Sequence, residues 1–416
     1  MPSLDFRKAL FRTRDTDDGD KVLPIELFFD LVFVFAVTQL SHRLVAHLTP
    51  LGALEALILF AAVWWLWMFT SWATNWLDPE RGLVRFMLMA MMLGGLILSV
   101  SIPKAFEEMA LPFAVTYMAM QLGRTLLIVW ASRGHNTPRV RNFLRIVFYF
   151  VLSAPLWIAG ALNEGNARLA LWAGAVVIEY AGPWLFFRTP GLGKSRSEDW
   201  DISGAHMAER CALFIIIALG ETLLIIGATF AKLTPDLPTT LAFAASFLSS
   251  AVMWWIYFDT GAKRGGETIE DEATDTGQIA RNAYTYLHMP IVAGIIVTAV
   301  ADEKLLAHPS GHAELPFVLV ACGGPILFLA GNQAFKWMTG KFPIPPLSHT
   351  IGMVLLVAIG LAGLFARWQP VTIGLCVCGA LLVTATWEWF SLNGGWRRWT
   401  PWLDRDTAIA LEKSER

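Results

Sequence analysis

Charge is scarce in this chain. Acidic and basic residues make up 16% of the 416 positions, hydrophobic residues 55%, and the mean hydropathy is +0.51. Soluble domains carry roughly 25% charge, so a chain this apolar is not built for water on all sides. The net charge of −2 leaves no basic excess, which argues against a nucleic-acid partner. Cysteine is rare as well. Cys211, Cys322, Cys376 and Cys378 all lie in apolar stretches, and the last two point to nearly opposite sides of a helix. They read as small buried hydrophobes and not as metal ligands, so neither a metal nor a cofactor is expected. No phosphate-binding loop, dinucleotide fingerprint, nucleophile elbow or nucleophile–base pair appears, so no enzyme is expected. Residues 1–21 are charged and lack a leading apolar core, which predicts no cleaved signal peptide and a first helix serving as its own insertion signal.

What is abundant is the apolar run of about 20 residues, the length that crosses a bilayer core. Twelve such segments are predicted: 24–46, 53–76, 84–102, 109–131, 142–162, 167–187, 207–231, 238–259, 282–300, 314–337, 348–366 and 370–391. Basic residues test that count. With the N-terminus inside, 25 Lys and Arg fall on the inner side and 6 on the outer, while Arg124 lies within a span. That bias predicts a multi-pass protein of the bacterial inner membrane with both termini cytoplasmic.

The segments also repeat. Leu111-Pro-Phe answers Leu315-Pro-Phe, Trp64-Trp65 answers Trp254-Trp255, Arg85 answers Arg281, and Glu26 answers Glu209. The fold expected is an all-α membrane protein of twelve transmembrane helices in two parallel six-helix repeats. Its parts are a cytoplasmic segment 1–23, a first repeat 24–187, a linker 188–206, a second repeat 207–391 and a cytoplasmic tail 392–416. Six helices is an even number, so both copies enter the membrane in the same direction.

Carboxylates inside this apolar background need a reason, because one at a helix centre costs roughly 2.5–3.5 kcal/mol. Glu26 and Asp30 lie four residues apart in the first span, on a stripe that continues through Phe33, Val37 and Ser41. They read either as a capping and packing pair or as a cation or proton site. In the seventh span, Glu209 and Arg210 precede an apolar run, and Glu221 follows Gly220 near its middle. Arg124 in span four and Glu179 in span six reach similar depth, which predicts a structural ion pair. His288 precedes Pro290 in span nine and is either a hydrogen-bonded packing residue or, beside Glu221, half of a proton-linked pair. Asp259 and Glu388 complete the acids of the second copy. Gly94-Gly95, Gln121 and Gly123, Pro290 and Gly294, and Gly323-Gly324-Pro325 fall in corresponding spans and predict interrupted helices at a transport site. The run Glu267–Asp275 lacks calcium-loop spacing and reads as a solvated loop. His308 and His312 with Glu314 lack a third fixed zinc ligand. Trp72, Trp76, Trp396, Trp399 and Trp402 fit interface belts, with Arg397 and Arg398 anchoring the last span.

Two long motifs carry a resemblance. The run Glu26-Leu-Phe-Phe-Asp-Leu-Val-Phe-Val-Phe-Ala-Val-Thr-Gln-Leu resembles the opening signature of the bacterial low temperature requirement A family. Glu209-Arg210-x-x-Leu213-Phe214-x-Ile216-Ile217-x-Leu219-Gly220-Glu221 resembles its second. The likeness covers about residues 20–395 and implies a polytopic bacterial membrane protein. It implies no particular activity. A weaker likeness joins the architecture to two-repeat, twelve-helix potassium channels whose first helix carries Phe-Ser-Asp. Here Phe28-Phe29-Asp30 lacks the serine, and Ala212-Leu213-Phe214 replaces the motif in the second copy.

The function expected is a permease or channel for an ion or small solute, proton-coupled in one form, with Glu26, Asp30 and Glu221 holding a cation or proton. The alternative is a non-transporting sensor or scaffold affecting the envelope in the cold. The partners expected are the lipid bilayer and a small ion or solute, with a homo-oligomer compatible with either reading.

Overall fold

The computed structural model of the chain describes residues 3–13, 21–196, 203–259, 281–339 and 345–392, without the side chains of 3–5 and 281–283. The acidic run 267–275, Lys263, Arg264, part of the linker 188–206, and the tail with Trp396 and Arg397 lie outside the described residues.

The described residues form an all-α protein. A short α1 (Ser3–Lys8) precedes α2 (Pro24–Ala46), α3 (Pro50–Trp76), α4 (Gly82–Ser101), α5 (Ala110–Ser132), α6 (Thr137–Leu162) and α7 (Gly165–Trp184). Then follow α8 (Gly204–Phe230), α9 (Leu237–Phe258), α10 (His288–Ala307), α11 (Leu315–Thr339), α12 (Leu347–Phe365) and α13 (Pro370–Leu392). A π-helical stretch, Arg281–Leu287, leads into α10. Helices are the required form here, because a span in lipid must satisfy its own backbone hydrogen bonds. Their starts are written locally: Thr49, Asn136, Ser203 and Asp236 cap the N–H groups of Gly52, Arg139, His206 and Thr239. Prolines sit in the first turns of α2, α3, α6 and α9, where a missing N–H costs nothing.

Among the described residues, 11 helices are long and apolar enough to cross a membrane. The predicted sixth segment, 167–187, corresponds to α7, which is helical but not among those 11. It carries Arg168 and Glu179, both buried, and packs on α6 and α3.

Packing follows a regular order. In the first half α2 lies against α3 and α4, neighbours pair from α4 to α7, and α7 returns to α3. In the second half α8 lies against α9 and α10, neighbours pair from α10 to α13, and α13 returns to α9. The halves meet where α2 touches α8 and α10, and where α3 touches α8. Helix α3 is buried on every side from Ile58 to Trp76, as expected of a helix that is apolar all round. Its Trp65 stacks on Tyr180 of α7 at 4.1 Å, and Trp67 lies 4.5 Å from Phe214 of α8. Trp72 and Trp76, expected at an interface belt, are instead 4% exposed and packed as a stacked pair. The aromatic core of α3 reaches its end and absorbs them.

Of the predicted helix interruptions, the one in the ninth span has a counterpart, a change from π- to α-helix at His288 two residues before Pro290, and the others do not occur. α4, α5 and α11 run continuously through Gly94-Gly95, Gly123 and Gly323-Gly324-Pro325, and Pro290 lies in the first turn of α10. Three of the second-half glycines serve close approach. A Cβ at Gly294 would fall 2.5 Å from the backbone nitrogen of Phe328, and one at Gly324 would fall 2.7 Å from that of Thr298. Gly331 meets Ile291 in the same way, at 2.9 Å from its nitrogen. α10 and α11 therefore approach backbone to backbone, and yielding of the Thr298 or Ile291 side chain would not clear the contact. Gly324→Val is expected to destabilise the bundle by about 1–3 kcal/mol, as overpacking of a tight contact does. Thermal unfolding of the purified protein checks this, and an unchanged transition would rule out the close contact.

Candidate functional site

Glu26 lies in the first turn of α2, where the helix dipole favours an anion and where its Oε2 accepts from the Leu23 N–H at 3.0 Å. Asp30 follows one turn later. Both are fully buried, and so are Phe33, Val37 and Ser41 on the same stripe, whereas Phe28 and Leu31 on the opposite side are 59% and 52% exposed. The stripe faces α8. There Arg210 donates through Nη1 to Glu26 Oε1 at 3.0 Å and through Nη2 to Asp30 Oδ1 at 2.5 Å. One guanidinium from the second half thus serves two carboxylates from the first, with all three side chains fully buried.

Other elements complete the cluster. From α3, Trp67 Nε1 donates to Asp30 Oδ1 at 2.7 Å, and Thr74 Oγ1 accepts from Arg210 at 3.4 Å. His206, one turn before Arg210, places Nε2 at 3.0 Å from Glu26 Oε1. Its other nitrogen lies 3.3 Å from the Asn75 amide, which also bonds the backbone of Ser203. From the N-terminal segment, Arg12 donates to Glu26 Oε2 at 2.8 Å and to the carbonyl of Thr74 at 2.8 Å. Two carboxylates are therefore matched by two guanidiniums, which is the condition for keeping charge out of water. The Arg210 guanidinium also lies 5.8 Å from the Phe29 ring and 5.9 Å from that of Trp67. Two atoms remain without a hydrogen-bond partner, Asp30 Oδ2 and Arg210 Nε.

Glu221 is part-buried further along α8 and accepts from Thr38 Oγ1 of α2 at 2.8 Å. Glu26 and Asp30 meet Arg210, and Thr38 meets Glu221, so residue numbers rise in the same sense along both helices. α2 and α8 are parallel neighbours. Glu209 is not in the buried cluster: it is exposed and accepts from the Val22 N–H at 3.1 Å. The position facing Glu26 belongs to its neighbour Arg210.

His288 is buried, 2.9 Å from the Tyr257 hydroxyl and stacked on Tyr284, while the polar partner of Glu221 is Thr38. Of the two readings of His288, the geometry is that of the hydrogen-bonded packing residue and not of a pair with Glu221. Arg124 and Glu179 are also not in direct contact. Arg124 donates to Gln121 Oε1 at 2.5 Å and to Thr70 Oγ1 at 3.1 Å. Glu179 accepts from Tyr117, Ser153 and Trp157 at 2.5, 2.7 and 2.8 Å. Gln121 donates to Tyr117 at 3.0 Å and so links the two ends. Tyr117 and Gln121 occupy the space between, and Arg124 meets α3 at Leu66 and Thr70 whereas Tyr180, next to Glu179, meets it at Ala61 and Trp65. Lys336 and Glu388 make a buried pair of their own at 2.7 Å in the second half.

Sequence reasoning missed His206, Trp67 and Arg12. His206 carried a signal, since it precedes Arg210 by four residues and so shares its helix face. Trp67 and Arg12 carried none. Three described cavities accompany the bundle, and none is lined by Glu26, Asp30 or Arg210. Away from the charges, an apolar crevice of about 450 Å³ lies between the halves, where Leu40 and Phe60 face Pro290 and Ile296.

These features define a multi-pass helical membrane protein with a charged cluster buried between its halves. Residues 21–386 match the family described as bacterial low temperature requirement A protein, and the chain belongs to that family. It is 42% identical over 385 residues, 92% of each chain, to an uncharacterized protein of Rhizobium meliloti strain 1021. No solved structure matches.

Arg210→Lys is expected to destabilise the protein by about 1.5–3 kcal/mol, because a single ammonium cannot reproduce the fork that meets Glu26 and Asp30. Thermal unfolding in detergent checks this. A transition unchanged from the parent protein would mean that the shared guanidinium geometry is not needed.

Proposed function

We infer that the protein is an ion- or proton-coupled permease, and not an enzyme, in which the Glu26–Arg210–Asp30 cluster is the latch between two moving halves. The observation that carries this reading is the unpartnered Oδ2 of Asp30 beside an arginine already shared with Glu26. A proton or cation arriving at that oxygen would neutralise Asp30 and leave Arg210 held by Glu26 alone. The contact across the halves would then weaken without removing any residue from the bundle. Glu221, bonded to Thr38 further along the same seam, supplies a second carboxylate on the route.

The architecture proposed is twelve spans in two parallel six-helix repeats, with α7 as the sixth. Its support is the matching order of packing, α2 with α3 and α4 against α8 with α9 and α10, and the return of α7 to α3 as of α13 to α9. The parallel course of α2 and α8 supports it too, since inverted copies would oppose them. Placement in the inner membrane with cytoplasmic termini rests on the basic bias, which puts Arg81, Arg139, Arg145 and Arg188 at one end.

A second reading, a non-transporting sensor or scaffold, is favoured by a different observation. The cluster is closed, with Glu26, Asp30 and Arg210 each 0% exposed.

Reconstitution separates the two. Proteoliposomes with an imposed pH or cation gradient are expected to show flux, reduced at least about tenfold by Asp30→Asn and lowered by Glu221→Gln at matched protein amounts. Absence of flux in the parent protein across both gradients would favour the scaffold. Equal flux in the variants would remove these carboxylates from transport.

A further inference from the structure

A second buried carboxylate lies far from the cluster. Asp302 is four residues on from Thr298 in α10 and is 5% exposed. Because α10 runs the same way as α8, its C-terminal part lies toward the opposite end of the bundle from Arg210. At that end the 308–314 and 366–371 connections interlock, with Ala313 N–H donating to the Trp368 carbonyl and Val371 N–H to that of Pro309.

Asp302 lines a small cavity enclosed by α9, α10, α11 and α13. Its polar wall is Asp302 and Thr298 from α10 with Ser246 and Ser249 from α9. Phe317 and Ala321 of α11 and Gly374 and Val377 of α13 close the rest, and no basic side chain lines it. Ser246 is 1% exposed and lies beside Asp302 in this wall, and Ser246 Oγ and Asp302 Oδ2 are both left without a hydrogen-bond partner. A carboxylate oxygen and a hydroxyl are thus left aimed into one space inside an apolar bundle. Such atoms cost several kcal/mol unless something meets them. The cavity volume is about 20 Å³, enough for one water-sized occupant and no more.

We propose that this cavity is a binding site for a single dehydrated monovalent alkali cation. Its ligands are Asp302 and Ser246, with Ser249 and Thr298 as neighbouring hydroxyls. The donors are all hard oxygens, which suits alkali and alkaline-earth ions over transition metals. One carboxylate balances one positive charge. A divalent ion would be left under-neutralised, and magnesium would bring waters for which the space has no room. The site is separate from the Glu26–Arg210–Asp30 latch, and its occupancy can be tested whether or not the protein transports anything.

The test is thermal unfolding of the full chain in detergent, followed by tryptophan fluorescence, in sodium, potassium or choline chloride at matched ionic strength. Sodium or potassium is expected to raise the midpoint by about 2 °C or more between 1 and 100 mM, and choline is not. Asp302→Asn and Ser246→Ala are each expected to abolish or blunt the response, while Glu164→Gln, which removes an exposed carboxylate before α7, retains it. Equal midpoints in the three salts would overturn the site and leave a protonated Asp302 with a water as its content. A cation response that survives in both Asp302→Asn and Ser246→Ala would overturn it as well. Should Asp302→Asn fail to fold, the salt comparison in the parent protein and the Ser246→Ala response decide.

Discussion

One arginine serving two carboxylates from the other half of the chain is the interaction around which this bundle closes. Glu26 and Asp30 are each 0% exposed; Asp30 has Arg210 as its countercharge in this apolar interior, and Glu26 has Arg210 together with Arg12. The remaining partners follow from that arrangement. Trp67 and Thr74 bring α3 against the cluster, His206 and Asn75 tie it to the start of α8, and Arg12 folds the N-terminal segment over it. Buried ion pairs of this kind add little net stability over a well-packed apolar core, and their best-attested role is to fix register. Here they fix how two parallel helices, α2 and α8, lie against each other, with Thr38 and Glu221 repeating the contact farther along.

The two kinds of seam in the structure do different work. Within the second half, Gly294, Gly324 and Gly331 bring α10 and α11 into backbone contact, which leaves little freedom to slide. Between the halves, the contacts are a charged cluster, a set of aromatic rings around Phe214, and an open apolar crevice beside Leu40 and Pro290. The tight seam is inside a half and the looser one lies between halves. That division suits the proposed reading, in which the halves shift against each other at α2 and α8.

Much of this was legible in the residues. The stripe of Glu26, Asp30, Phe33, Val37 and Ser41 faces the protein as helical spacing predicts, because lipid excludes carboxylates from the other face. The spans were legible because apolar length is a property of the chain alone. Partners were not. Arg210 was singled out for its charge, yet its bond to Asp30 depends on the register of helices 180 residues apart. Arg124 and Glu179 were matched by counting along their spans, but Glu179 meets Tyr117, two turns from Arg124 on α5, because the count does not give the shift or rotation of neighbouring helices. Glycines misled for a related reason: a glycine that breaks a helix and a glycine that lets a neighbour approach look alike until the neighbour is known. Asp302 escaped notice because one acid near a helix end reads as a loop residue until the helices around it close.

The central claim is that Asp30 and Arg210 are energetically coupled across the halves. A double-mutant cycle measures it directly: unfolding free energies of the parent, Asp30→Asn, Arg210→Gln and the double variant in one detergent. The account predicts a coupling of about 1.5 kcal/mol or more, above what neutral hydrogen bonds in membranes usually give. Additive losses, with coupling near zero, would contradict it.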